Sequence, residues 1–288
     1  MAATVGRHDE NPPALIGPGY RTWITRGANF VVVVSDVEPG ALLERSEQPD
    51  EYIAFLADTG AAIEAGPDAT EAAPGTLAIL PPGASEIRAS GQGRIVRIFS
   101  HLASDLAELA DNAAAYAEGA PGVAPLAAWP LPPEGYRLRT YAVADHVREG
   151  SNMRVFRSTN LMVNVMLPRM VARDVRKLSP HSHADFEQGS LALSGRWRHH
   201  LRYPWTADLT TWRDDEHLDV GSPSLLVVPP KVIHTSRNVN DGGAWLLDIF
   251  APPRMDFSLR PDMVCNASDY PVLPGMADGA AASGGVQS

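Results

Sequence analysis

Twice in this chain an apolar run of strand length ends in Pro-Pro and turns: "GTLAILPPGASEI" at 75–87 and "PSLLVVPPKVIHT" at 223–235. Each run is too short for an ordinary helix, and the prolines end it. The recurrence predicts a duplicated β unit, with a polar residue at matching positions: Glu86 in the first copy and His234 in the second. Around each copy the pattern is the same. "RTWITRG", "NFVVVVSD", "EYIAFLA", "AAIEAG" and "RIVRIFS" fill the first hundred residues as short strands divided by turn residues. "YRLRTYAV", "NLMVNVMLP", "GSLALSGRWRHHLRY" and "AWLLDIFAPP" do so in the second half. Between them, "SDLAELADNAAAYAEG" at 104–119 predicts a helix, with Ser104 as N-cap and Gly119 as stop. The next stretch, "APGVAPLAAWPLPPEG", has five prolines in sixteen residues and predicts a stiff connector. The expected order is an N-terminal arm (1–19), a first barrel (20–103), a helix plus Pro-rich linker (104–135) and a second barrel (136–274). A small-residue tail, expected to be disordered, follows at 275–288.

The bulk composition narrows the partners. A chain of 288 residues with a net charge of −10 is a poor candidate for nucleic acid or an anionic membrane. No run approaches the ~18 apolar residues of a membrane helix, and the N-terminus lacks a signal-like apolar core. Cys265 is the only cysteine, so neither an internal disulfide nor a thiolate metal cage can form. The expectation is a cytoplasmic protein.

Chemistry concentrates in "SPHSHADFEQGSLALSG", 179–195. On a strand, side chains two apart share a face, so His181 and His183 would present both imidazoles together. Neutral imidazoles are ready ligands for divalent first-row metals, and His234 is the candidate third. An isolated His-x-His is more often an ordinary surface feature. Here it is followed by "PPKVIHTSRN", and together the two stretches resemble the paired motifs of the cupin superfamily. His181, His183 and Gly195 fit the first motif, with Gln188 in the carboxylate slot. Pro229, His234 and Asn238 fit the second, with Lys231 replacing its glycine. Gly75, Pro81 and Gly83 repeat the second motif in the first half, but Glu86 stands at the histidine and "RSEQPDEYIAFLADTG" contains no histidine.

The resemblance implies an all-β fold of two jelly-roll barrels in tandem. It implies one metal site, in the second barrel, made by His181, His183, Gln188 and His234, and a homodimer. The metal would be iron, manganese, nickel, zinc or cobalt. Six residues before Gly195 the register selects Gln188. Glu187 is left as a surface residue, an outer partner or, on a bulged strand, the ligand itself. In "GRWRHHLRYPW", Arg196, Arg198 and His200 share one face and Trp197, His199 and Leu201 the other. If the first set faces the cavity, it suits an anionic substrate; otherwise it is solvated surface. Candidate catalytic groups are therefore Glu187, Arg196, Arg198 and His200. Arg169, Arg173 and Arg176 precede the first ligand and fit cations around the ion or a solvated surface equally well. The leading functional expectation is a non-redox isomerase or lyase for a small sugar acid or hydroxy acid. The alternatives are an iron(II) dioxygenase and a non-catalytic ligand-binding protein.

Overall fold

The computed structural model describes residues 1–127, 129–274 and 276. These residues build four antiparallel sheets. A seven-stranded sheet runs in the order Arg139–Ala142, Thr76–Leu80, Tyr52–Leu56, Gly93–Ser100, Phe30–Val37, Tyr20–Arg26 and Leu15–Gly17. It faces a four-stranded sheet of Leu42–Gln48, Gly83–Ala89, Ala61–Ala65 and Asp68–Ala72, and the pair encloses the first core. In the second half a six-stranded sheet runs Thr4–Gly6, Ser224–Val228, Gln188–Ser194, Trp245–Phe250, Met162–Val165 and Val155–Arg157. It faces a three-stranded sheet of Glu216–Val220, Trp197–Arg202 and Ile233–Asn238.

The two large sheets pack back to back, which explains why their strands lack polar alternation. In Phe30–Val37, Val31 and Val33 join the interior of the first barrel. Phe30, Val32 and Val34 cross to a seam with Leu191, Leu225, Val227, Leu247 and Ile249 of the second. Both faces of the strand are thus dry, and a continuous apolar run is what such a strand requires. Each fully buried Val, Leu or Ile side chain contributes about 1.5–3 kcal/mol.

The two halves exchange strands. Thr4–Gly6 pairs with Leu225–Val227 in the second half, and Arg139–Ala142, which the sequence assigned to the second barrel, pairs with Thr76–Ile79 in the first. Both recipients are the strands that end in Pro-Pro. Each would otherwise be the open edge of a sheet buried on both faces, and an unpaired edge there invites association with other chains.

The helix expected at 104–119 is shorter than its composition implies. Ser104–Glu108 is helical and Ala113–Tyr116 forms one 3-10 turn; the N-cap is Ala103, not Ser104, with no side-chain cap bond. Asp111 and Asn112 break the helix because they are taken up by the neighbouring strand. Asp111 N–H donates to Ile24 O (2.8 Å) and Thr25 donates to Asp111 Oδ1 (2.7 Å). Asn112 accepts from Arg26 N–H and donates back to Arg26 O (2.9 and 2.8 Å). Side chains that close such local bonds compete with helix propagation. The tail expectation at 275–288 falls, Met276 apart, outside the described residues.

Candidate metal centre

The segment carrying His181 and His183 is not a regular strand. His181 forms a single two-way bridge with His234, N–H to O at 3.1 and 2.8 Å, and Lys231 N–H donates to His183 O at 2.6 Å. Backbone bonds between the two distant motifs, not strand alternation, therefore bring the rings together. Lys231 takes φ +66°, as Gly83 takes φ +105° at the matching turn of the first half. A non-glycine residue pays about 1–2 kcal/mol for that conformation, so the turn is kept where the motif's glycine is not. Gly195 also holds φ +85°, and a Cβ there would stand 2.8 Å from the Ala244 backbone.

Each of the three histidines presents one ring nitrogen, and these atoms all lie within 4.8 Å of one another. His183 and His234 are buried and His181 is exposed. His181 Nδ1 and His234 Nδ1 face the carbonyls of Ser179 (2.9 Å) and Val232 (3.0 Å). A carbonyl only accepts, so both Nδ1 atoms carry the proton and both Nε2 lone pairs point into the site. His234 Nε2 is buried without a hydrogen-bond partner among the described residues. Burial pushes the His183 imidazole down to about 3 and His234 to about 4, so both are neutral at pH 7.

Gln188 lies beside the group. Its Nε2 donates to Ser190 Oγ and Asp248 Oδ1, both at 3.0 Å, which turns Oε1 toward His183, whose Nε2–H donates to it at 2.9 Å; ligation by His183 Nε2 would move that proton to Nδ1. Asp248 is buried and its carboxyl is pushed up to about 6 by that burial. Three imidazoles and an oriented amide oxygen around an unsatisfied buried nitrogen make a donor set that fits a divalent first-row metal. Asp248 acts on this set through Gln188. Asp248→Asn, which lets the glutamine amide turn over, is expected to weaken metal binding about 10–100-fold while the circular dichroism stays unchanged. Competition against a chromophoric chelator measures it.

Glu187 points elsewhere. Its Oε2 accepts from Ala28 N–H (2.6 Å) and its Oε1 from the Tyr116 hydroxyl (3.0 Å), in the seam with the first half. The strand alternation that sends Gln188 inward sends its neighbour outward. Trp197–Arg202 resolves in the opposite sense to the cavity-facing option. Trp197, His199 and Leu201 are buried, so Arg196, Arg198 and His200 lie on the outer face. There Arg198 pairs with Asp219 and His200 meets His217 at 2.9 Å. Burial of an indole, an imidazole and a leucine outweighs any gain from turning two guanidinium groups inward.

The cavity over the histidines, about 370 Å³, is instead lined by Arg169, Arg173 and Arg254, together with Asp248 and Asn164. Arg176 stays exposed beside Asp174. Arg173 is spent on Ser236 O and Ser179 Oγ (2.9 and 3.0 Å), and Arg254 on Asp256 (2.7 Å). Asp248 was missed from sequence although "AWLLDIF" carried a signal: one carboxylate in an otherwise apolar strand has to be held by something. Glu86 is likewise not the counterpart of His234. A register shift between Gly83 and Ser85 turns Ser85 into the barrel and leaves Glu86 outside beside Arg88.

No protein-family model matches the sequence, and no curated protein does. Solved structures are similar in fold. A single-site variant of Bacillus subtilis oxalate decarboxylase aligns with TM-score 0.58 and 14% identity over 96% of this chain and 85% of that one. The Lactobacillus farciminis oxalate decarboxylase formate complex gives 0.57 and 15%, over 87% and 86%. AerE from Microcystis aeruginosa gives 0.56 and 10%, over 83% and 95%. The chain thus has the two-barrel cupin fold, all-β, with a histidine triad in its second barrel that can hold a metal. At these identities the likeness defines the fold and leaves the reaction to the site.

Proposed function

We propose that this protein is a metal-dependent, non-redox isomerase or lyase. Its substrate is a small hydroxy acid or sugar acid, held over His181, His183, Gln188 and His234. The observation that carries the reading is the cation placed over that donor set. Arg169 lines the cavity, and its guanidinium has no ion-pair partner among the described residues, whereas Arg173 and Arg254 are committed to protein groups. A free planar fork suits a carboxylate. The names of the oxalate decarboxylase neighbours, which act on a small dicarboxylate, support the same substrate class.

A bound divalent metal supplies Lewis acidity, polarising a carbonyl or hydroxyl oxygen. The chain's own contribution is positional. Arg169 fixes the carboxylate end, Gln188 and the histidines fix the other, and the apolar side chains of Met166, Leu246 and Phe250 limit water. No helix among the described residues is long and apolar enough to cross a membrane. A homodimer in the cytoplasm belongs to the same proposal, and sedimentation of the purified protein reads its size.

The test is anaerobic reconstitution with each first-row metal, followed by a panel of hydroxy acids, sugar acids and oxalate. Substrate conversion without dioxygen uptake, with a raised KM for Arg169→Ala, is the expected result. Uptake of dioxygen matched to substrate loss overturns it in favour of an iron(II) dioxygenase. Tight binding of one compound with no turnover overturns it in favour of a non-catalytic binding protein.

A further inference from the structure

The first barrel has lost every histidine of the metal set, yet its corresponding positions are not filled with apolar residues. The strand register identifies those positions without appeal to sequence spacing. Leu80 and Val228 both precede a Pro-Pro; Tyr52 lies opposite Leu80 as Gln188 lies opposite Val228. Two residues on, Ala54 lies opposite Arg97 as Ser190 lies opposite Asp248. Ser85 lies opposite Ala65 as His234 lies opposite Leu201, and Arg45 opposite Ser85 as His181 opposite His234. So Gln188, His234, His181 and Asp248 have as counterparts Tyr52, Ser85, Arg45 and Arg97.

These four residues form a polar group in the first barrel, continued by Gln48, which accepts from Arg45 Nε at 3.1 Å and donates to Asp50 at 3.0 Å. The Tyr52 and Ser85 hydroxyls lie 2.8 Å apart. Both guanidinium groups stand against the Phe99 ring, Arg45 at 5.4 Å and Arg97 at 5.7 Å from its centre, and that ring stacks on Tyr52 at 4.6 Å. Arg45 is neutralised by Asp105, at 2.6 Å. Arg97 is not neutralised. It is 7% exposed, its Nε has no hydrogen-bond partner among the described residues, and no carboxylate there forms an ion pair with it. A buried guanidinium without a counter-charge is strongly disfavoured, so its persistence calls for an anion.

We propose that the first barrel binds a small monocarboxylate at Arg97, at the site corresponding to the metal centre of the second barrel but with the opposite charge. One uncompensated cation selects a single negative charge. The guanidinium fork accepts the two carboxylate oxygens. The two hydroxyls share one hydrogen bond between them, which leaves one O–H proton to donate to the ligand. The Phe99 and Tyr52 rings offer an apolar wall for a short carbon body.

The test uses the full-length, metal-loaded protein and three variants, titrated calorimetrically with formate, acetate, sulfate and phosphate. His234→Ala removes carboxylate binding through the metal, and acetate binding is expected to persist in it. Adding Arg97→Met to His234→Ala is expected to weaken acetate at least about tenfold. Arg97→Lys, which keeps a charge without the fork, covers the case in which the methionine variant does not fold, and is expected to weaken acetate several-fold. A crystal of the His234→Ala protein soaked in acetate should carry the ligand between Arg97 and the Tyr52 hydroxyl. Acetate binding that vanishes with His234→Ala alone, or is untouched by both Arg97 variants, overturns the proposal. So does a site that takes sulfate or phosphate and refuses acetate.

Discussion

His234→Ala is expected to reduce bound metal from one equivalent per chain to background. Its Nε2 is the buried atom with no other partner, and its Nδ1 proton is already committed to Val232 O. Alanine leaves His181, the exposed member, and His183 with the Gln188 amide, a set open to water on one side. The loss should exceed the about 10–100-fold that follows removal of an outer partner such as Asp248. The same change removes the stabilisation that metal gives the folded state, about 4 kcal/mol at a thousandfold excess over Kd. In a domain pair of this size that is a fall of roughly 10 °C in the metal-dependent part of Tm. Elemental analysis after dialysis and a thermal scan with and without metal read the two effects. A variant that keeps its full equivalent of metal would move the site away from these histidines.

The neighbouring acidic residue should behave in the opposite way. Glu187→Ala is expected to leave metal content intact and to cost about 2–4 kcal/mol of stability, a drop of roughly 4–16 °C in Tm. The carboxylate satisfies Ala28 N–H and the Tyr116 hydroxyl inside the seam, and Gly27 leaves room for it, since a Cβ there would stand 2.8 Å from Oε2. Alanine strands both donors and opens a hole between the halves. Burial raises the Glu187 pKa. The folded state therefore holds its proton to higher pH than the unfolded chain does. Its contribution to stability is fully present below the unfolded pKa and falls as pH rises through the folded one. Glu187→Gln should flatten that part of the stability profile, which urea melts at several pH values measure. Loss of metal with unchanged stability would reverse the roles of Glu187 and Gln188.

What could be read from the sequence followed from local rules. Pro-Pro ended the same strand in both halves, apolar runs marked the strands buried on both faces, and Gly195 marked a left-handed turn. His181, His183 and His234 carried a signal only together, because a His-x-His pair without the second motif is more often an ordinary surface feature. What could not be read depended on contacts far apart in the chain. Whether Trp197 or Arg198 faces inward depends on which side the second sheet covers. The helix at 104–119 shortened because Asp111 and Asn112 met a strand some eighty-six residues earlier. The slip that exchanges Ser85 for Glu86 is one residue of bulge, invisible to a spacing count yet enough to reverse the facing.

The exchanged strands bear on how this chain can be made. During synthesis the first barrel cannot close its long sheet until residue 142 has left the ribosome, because Arg139–Ala142 supplies its last ladder. By then the whole helix and proline connector are already outside. Residues 4–6 must meanwhile wait for a partner at 225–227. A nascent chain stalled before residue 142 exposes the edge of Thr76–Leu80, and a cut at the boundary expected near 135 would strip the first barrel of its last ladder.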